Sequence, residues 1–281
     1  MREITIEQII QAVRQLCIEA SCDLPKDVEQ CIIEAAEREV SPFGQYSLQK
    51  IVKNIGIARE NTVPMCQDTG MAVVFAEVGQ EVHITGGLLS EAINEGVRQG
   101  YTDGYLRKSM VRDPLLERVN TNDNTPAILY TTLVAGDQLK LIVMPKGAGS
   151  ENMGGIKMLK PADGLAGVKR FVVDTVRNAG GNPCPPVIVG VGIGGSMDKA
   201  ALLSKVALQR EAGSPHPDAR YAQLESELLE EINRLGIGPQ GFGGRVTALA
   251  VHIETYPTHI ATLPVAVTLN CHAARHKEII L

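Results

Sequence analysis

Apolar side chains recur every three to four positions through most of the first sixty residues. Ile6, Ile9, Ile10, Val13, Leu16 and Cys17 form one stripe and predict an amphipathic helix over 5–20, opened by Thr5 and Gln8 at capping-box spacing. Val28, Cys31, Ile32 and Ala35 predict a second helix over 27–39, and Leu48, Ile51, Val52 and Ile55 a third after Ser47. Past residue 70 the period shortens. Alternating runs predict two hairpins, Ala72–Glu77 with Glu81–Thr85 and Ala127–Val134 with Gln138–Pro145, and a helix over 88–101 between them. A helix over 162–179, a short strand Val187–Val191, helices from Met197 and over 218–235, and two strands, Arg245–Thr255 and His259–Leu269, complete the chain. The fold expected is α/β of the α+β type, a mixed or largely antiparallel sheet with hairpins wrapped by helices. One domain is expected over residues 1–281, with the helical segment 1–60 packed onto it. No internal repeat, linker or low-complexity tract is evident.

Composition narrows the function. With 281 residues, 44% hydrophobic and 21% charged, the chain can bury a sizeable core. A net charge of −5 argues against a nucleic-acid partner, which meets a concentrated basic face. No apolar run approaches the roughly 18 residues of a membrane span, and the N-terminus lacks the apolar core of a signal peptide. The location expected is therefore the cytoplasm, where thiols stay reduced. Six cysteines do not make a disulfide scaffold.

Their contexts differ. Cys17 and Cys31 lie on helical stripes and read as small core residues, and Cys22 falls in a connector. Cys66 stands in Pro64-Met65-Cys66-Gln67-Asp68-Thr69-Gly70, a turn that presents a thiol, an amide and a carboxylate side by side. Cys184 lies in Asn182-Pro183-Cys184-Pro185-Pro186 and Cys271 in Asn270-Cys271-His272, again at element ends and off any apolar stripe. Three thiolates would leave one iron of a cubane cluster without a protein ligand. An electron carrier normally uses four cysteines. An open iron can instead act as a Lewis acid on a carboxylate or hydroxyl, which points to dehydration chemistry. An iron–sulfur electron-transfer or sensing module is the alternative from another class. The missing fourth cysteine and the Gln67-Asp68 pair weigh against it.

Other motifs point elsewhere. Gly190-Val191-Gly192-Ile193-Gly194-Gly195 satisfies a dinucleotide-binding glycine pattern as a turn between strand and helix, but no second strand carries the acid Glu211 that should follow. The glycine loop Lys146–Asn152 lacks the Gly-Lys-Ser/Thr ending of a phosphate-binding loop, and its backbone N–H groups better suit a carboxylate. His272 and His276 have a spacing that could pair zinc ligands on a helix, but among Arg275 and Lys277 they read as a solvated tail.

The chain resembles the iron–sulfur (class I) fumarate hydratases and L(+)-tartrate dehydratases, specifically the alpha subunit of the two-subunit form. The resemblance is carried by Cys66-Gln67-Asp68-Thr69-Gly70, the Gly-Ser-Glu-Asn loop at 149–152, Cys184-Pro185-Pro186 with the glycines that follow, and Gly236-Ile-Gly-Pro-Gln-Gly241. It implies a [4Fe–4S] cluster held by Cys66, Cys184 and Cys271, with substrate on the fourth iron. It places Gln67 and Asp68 at the substrate, with Asp68 as the acid at the departing hydroxyl. Arg107 would clamp a carboxylate, Gly149 would offer backbone contact, and His259 would touch substrate from the strand before Cys271. The catalytic base would lie in a beta subunit, in a hetero-oligomer such as α2β2, without which this chain is inactive. Ser150-Glu151-Asn152 and Arg107-Lys108-Ser109 look more like the fumarase branch than the tartrate branch.

Overall fold

The computed structural model describes all 281 residues. In chain order the elements are β1 (Arg2–Thr5), α1 (Ile6–Cys22), α2 (Lys26–Arg38), α3 (Pro42–Asn61), β2 (Met71–Gly79), β3 (Val82–Thr85), α4 (Leu89–Asp103), β4 (Ile128–Val134) and β5 (Leu139–Lys146). There follow α5 (Ala148–Glu151), β6 (Gly155–Leu159), α6 (Gly164–Ala179), β7 (Val187–Gly194), α7 (Met197–Val206), α8 (Ala219–Asn233), β8 (Ala248–Tyr256), β9 (Leu263–Asn270) and β10 (Lys277–Ile280). The fold is α+β with mixed sheets. The expected domain over residues 1–281 comprises two compact units. The first is built from residues 1–25, 55–148 and 275–281, the second from 26–54 and 149–274, so the helical segment 1–60 is divided between them.

The helices follow their sequence signals closely. At the start of α1 the Gln8 N–H donates to Thr5 Oγ1 at 3.4 Å and the Thr5 N–H donates to Gln8 Oε1 at 2.9 Å, a reciprocal capping box. Helix α3 begins earlier than its apolar stripe, at Pro42, because a proline at the first helical position has no N–H to leave unpaired.

In the first unit the sheet order is β10-β5-β2-β4, and neither expected hairpin forms. Strand β2 lies between β4, parallel to it, and β5, antiparallel to it. Strand β3 pairs with β1 instead, in a separate parallel ribbon. The reason is burial: β2 is an almost unbroken apolar run, buried on both faces, and such a strand belongs mid-sheet. Alternation had marked the strands but not their partners. Val74 and Ala76 of β2 pack with Leu139, Leu141 and Val143 of β5 against Val13, Leu16 and Cys17 of α1 and Val97 and Tyr101 of α4. The C-terminal run is no solvated tail: residues 273–275 are buried, no helix carries His272 and His276, and β10 is an edge strand antiparallel to β5.

The second unit repeats the arrangement with order β6-β9-β7-β8. Its central strand β7 is parallel to β8 and antiparallel to β9, and the edge strand β6 is antiparallel to β9. Val189 and Val191 face α6 and α8 through Val172, Leu228 and Ile232. The dinucleotide-like glycines are not a turn but part of β7 itself. A Cβ on Gly190 would sit 2.1 Å from the Ser204 carbonyl oxygen, and one on Gly192 would sit 2.0 Å from that of Ala200. These glycines let α7 lie directly on the strand. One topology thus occurs twice without a sequence repeat. In both units a cysteine-bearing turn leads into the central strand, Cys66 before β2 and Cys184 before β7. The residue after the neighbouring antiparallel strand is Gly147 in one unit and Cys271 in the other.

Candidate functional site

In the first unit the turn 64–70 is held from several sides. The Met65 N–H donates to the Ser21 carbonyl at 3.0 Å. The Tyr101 hydroxyl, on a side chain with no exposure, reaches the Thr69 and Gly70 carbonyl oxygens at 2.8 and 3.1 Å. Burial pushes that hydroxyl's pKa up, so it stays a donor. Asn124, fully buried, donates to the Gly70 carbonyl at 3.2 Å and accepts from the Ser109 N–H at 2.7 Å. Next to it Asp123 is held near a pKa of about 2: burial opposes ionisation, but the Thr125 N–H and hydroxyl and the Arg98 guanidinium outweigh it. Thr69 Oγ1 donates to the Arg107 carbonyl at 3.1 Å. The Arg107 segment is therefore fastened to the turn, and its side chain is exposed. Gly70 has φ +73° and lies against the Lys146 backbone, where a Cβ would come within 2.6 Å.

Within this frame Cys66 and Asp68 are half-buried and Gln67 is exposed. The Asp68 N–H points to Cys66 Sγ at 3.4 Å, a donor that suits a thiolate. The Asp68 carboxylate accepts from the Gly70 N–H through Oδ1 and from the Ala148 N–H through Oδ2, both at 2.9 Å. Each oxygen keeps a second lone pair for another partner.

In the second unit Cys184 is exposed, with φ +55°, and its N–H closes a turn onto the Gly181 carbonyl at 3.1 Å. The β7–β9 register, which sets Ile188 opposite Asn270, brings Cys271 to the end of the strands where the Cys184 loop enters β7. The His272 N–H donates to the Cys184 carbonyl at 3.3 Å, and His272 Nδ1 lies 3.1 Å from the same oxygen. Gln240 supports the next residue, with its backbone N–H and Nε2 donating to the Pro185 carbonyl at 2.7 and 2.9 Å. The Gln240 loop is fixed in turn by Glu39, whose carboxylate accepts from the Arg245 and Val246 N–H groups. Gly149 is exposed, and a Cβ there would face the Asn182 carbonyl at 3.5 Å, so it lies beside the Cys184 loop.

His259 is placed differently. It sits in the turn before β9, not on the strand, with Nδ1 accepting from the Ala261 N–H at 3.2 Å. The eight residues of β9 separate that turn from Cys271. At ~3.3 Å per residue that is roughly 25 Å, so His259 is at the opposite end of the strands from Cys184 and Cys271.

Three cysteines are thus accessible in turns, while Cys17 has no exposure and burial pushes its thiol up to about 12. Soft thiolate donors of this kind suit an iron–sulfur cluster. No three His, Cys, Asp or Glu side chains are already gathered around a point that would hold a single metal ion. Gln240 falls within the Gly236–Gly241 motif, whereas Tyr101, Asn124 and Glu39, which help hold these turns, are not marked in the sequence. Each is a lone polar residue, and only its distant partner shows what it does.

The Fumarate hydratase (Fumerase) family model matches residues 10–280. A protein provisionally named L(+)-tartrate dehydratase subunit alpha from Methanocaldococcus jannaschii is 44% identical over 272 residues, 95% of both chains. The L(+)-tartrate dehydratase subunit alpha of Escherichia coli strain UTI89 is 34% identical over 96% of this chain and 89% of its own. That of Shigella sonnei is 33% identical over 98% and 91%.

Proposed function

Because the chain belongs to the fumarate hydratase (Fumerase) family, we propose that it is the alpha subunit of an iron–sulfur hydro-lyase that interconverts (S)-malate with fumarate and water. Cys66, Cys184 and Cys271 are assigned to a [4Fe–4S] cluster. When bound, such a cluster supplies an open iron that acts as a Lewis acid toward a carboxylate and hydroxyl. The observation that carries the reading is the Asp68 carboxylate, two residues from Cys66 and fixed by two backbone N–H bonds at 2.9 Å.

Dehydration breaks a C–H bond beside one carboxylate and the C–O bond of the neighbouring hydroxyl, and forms a C=C bond between the two carbons. Asp68, protonated at the start of dehydration, gives its proton to the departing hydroxyl, which leaves as water, and as the carboxylate it takes a proton from water in the reverse direction. Gln67, exposed beside it, offers an amide to the substrate. Arg107 offers a planar fork that matches a carboxylate. Gly149, bare of side chain, lets backbone N–H groups approach. The base that removes the C–H proton is assigned to a beta subunit, a partner supported by the relatives' names, in an assembly such as α2β2. His259, at the far end of the strands, is given no part in its own chain's site. No helix is long and apolar enough to cross a membrane, and a cytoplasmic location is part of the proposal.

The first test is an iron and sulfide assay on the chain purified without oxygen. About four of each per chain are expected, lost in Cys66→Ala, Cys184→Ala and Cys271→Ala and kept in Cys17→Ala. A chain reconstituted with zinc or no metal would overturn the cluster. With the beta subunit, Asp68→Asn should lower malate turnover by ~10²–10⁴-fold with the iron content unchanged. Undiminished turnover would remove Asp68 from the chemistry.

The relatives' names favour a second reading, dehydration of L(+)-tartrate. The Ser150-Glu151-Asn152 and Arg107-Lys108-Ser109 segments favour fumarate. Relative kcat/KM for malate, fumarate and tartrate by the two-subunit enzyme decides between them.

A further inference from the structure

Four residues after Cys271, the chain buries a cation with no anion beside it. Arg275 is 3% exposed. Its Nη2 donates to the Asp68 carbonyl oxygen at 2.5 Å, so it lies behind the turn that carries Cys66 and Asp68. Its Nε and Nη1 are buried without a hydrogen-bond partner. No carboxylate pairs with it: Asp23, next to Cys22, is taken by Arg59 and Lys277, each at 2.6 Å. The Arg275 charge is felt nearby, drawing the Cys22 thiol down against the burial that raises it.

A guanidinium carries five N–H donors and keeps its charge at any pH a protein survives. Burying such a charge unpaired costs several kcal/mol. One bond to the Asp68 carbonyl does not require it, since a neutral amide could make the same bond. The excess of positive charge and the two unsatisfied nitrogens therefore point to a negative charge that arrives with a ligand.

We propose that Arg275 is a positioning residue whose buried charge balances the anionic centre assembled at Cys66. This rests on the iron–sulfur reading, in which three thiolates and a dicarboxylate bring that negative charge. Arg275 then does two things at once. It holds the Asp68 backbone, and it stabilises electrons placed on the cluster.

The test compares wild type, Arg275→Met and Arg275→Lys as full chains, both metal-free and cluster-loaded. In the metal-free chain Arg275→Met should match or exceed wild-type stability in denaturant, because it removes an uncompensated charge. In the loaded chain it should lose iron to a chelator at least tenfold faster. Its potential, read by titration with the electron paramagnetic resonance signal, should move negative by about 59 mV, a tenfold change in a one-electron equilibrium. Arg275→Lys, which keeps the charge, should restore the potential. If Arg275→Met destabilises both forms equally and leaves the potential unmoved, Arg275 is only a structural tether. A lysine variant shifted as far as the methionine one also overturns the charge argument. A wild-type chain that takes up no iron or sulfide overturns the iron–sulfur reading itself and this inference with it.

Discussion

Replacing Glu39 by glutamine tests the cradle under the Cys184 loop with an almost isosteric change. Glu39 is 1% exposed. Oε1 accepts from the N–H groups of Val40 at 2.8 Å, Ser41 at 2.9 Å and Arg245 at 3.0 Å. Oε2 accepts from Arg245 and Val246, both at 2.9 Å. Glutamine keeps one acceptor and turns the other into an NH₂ group facing a donor. A bond to a charged acceptor is worth ~1.5–3 kcal/mol against ~1 kcal/mol for a neutral one, and an unsatisfied buried N–H costs ~1–3 kcal/mol. Three weakened bonds and one orphaned Val246 N–H give a loss of ~3–5 kcal/mol. At a slope of ~3 kcal/mol per molar urea, the unfolding midpoint of the second unit should fall by ~1 M or more.

The pH dependence fixes the cause. Burial pushes the Glu39 carboxyl up, but the backbone N–H bonds from Ser41, Arg245, Val246 and Val40 outweigh it and hold the pKa below the ordinary 4.5. A depressed carboxylate contributes its full stability above the unfolded value and loses it as pH falls through the folded one. The gap between wild type and Glu39→Gln should be widest near neutrality and close below roughly pH 4.5. Circular dichroism of urea unfolding at several pH values measures both effects. Equal midpoints at neutral pH, or a gap that widens on acidification, would refute the argument.

Two further substitutions test the frame at other points. Tyr101→Phe removes the hydroxyl shared by the Thr69 and Gly70 carbonyls. It should cost ~1–3 kcal/mol and speed amide exchange in residues 66–70, and protection equal to wild type would count against a hydroxyl-held turn. Gly190→Ala puts a Cβ 2.1 Å from the Ser204 carbonyl. It should force α7 off β7 at a cost of ~3 kcal/mol or more, and a thermal midpoint within a degree of wild type would show that the helix is free to shift.

Local signals made the helices and most of the strands legible. Thr5 and Gln8 announced the start of α1, and the Ile9–Val13–Leu16 stripe its buried face. Strand partners were less visible, because alternation gives the period of a strand and not its neighbours. The cue for β2 was its solid run from Ala72 to Ala76, buried on both faces, which marks a central strand rather than one arm of a hairpin. Gly190 and Gly192 carried a cue of the same kind. Two residues apart, they share one face of a strand, and two bare positions on one face leave room for a helix.

The turns that present Cys66, Cys184 and Cys271 were legible because proline, glycine and asparagine bracket them. What steadies those turns was not, for a reason that lies in sequence distance. Tyr101 is one more residue on an α4 stripe until its hydroxyl is seen to reach Thr69. Glu39 is one charge among many at a helix end until Val246 closes on it from 207 residues away. Arg275 looked like part of a charged tail because its neighbours His276 and Lys277 are polar. Its burial follows from β10 pairing with β5, a contact made across more than 130 residues. Short-range pattern therefore marks the turns that carry the candidate site, and long-range pairing decides how rigidly they are held. The same division explains Asp68, whose place was evident from the cysteine two positions before it. Its two backbone donors came from Gly70, within the turn, and from Ala148, a residue that only the β2–β5 register brings beside it.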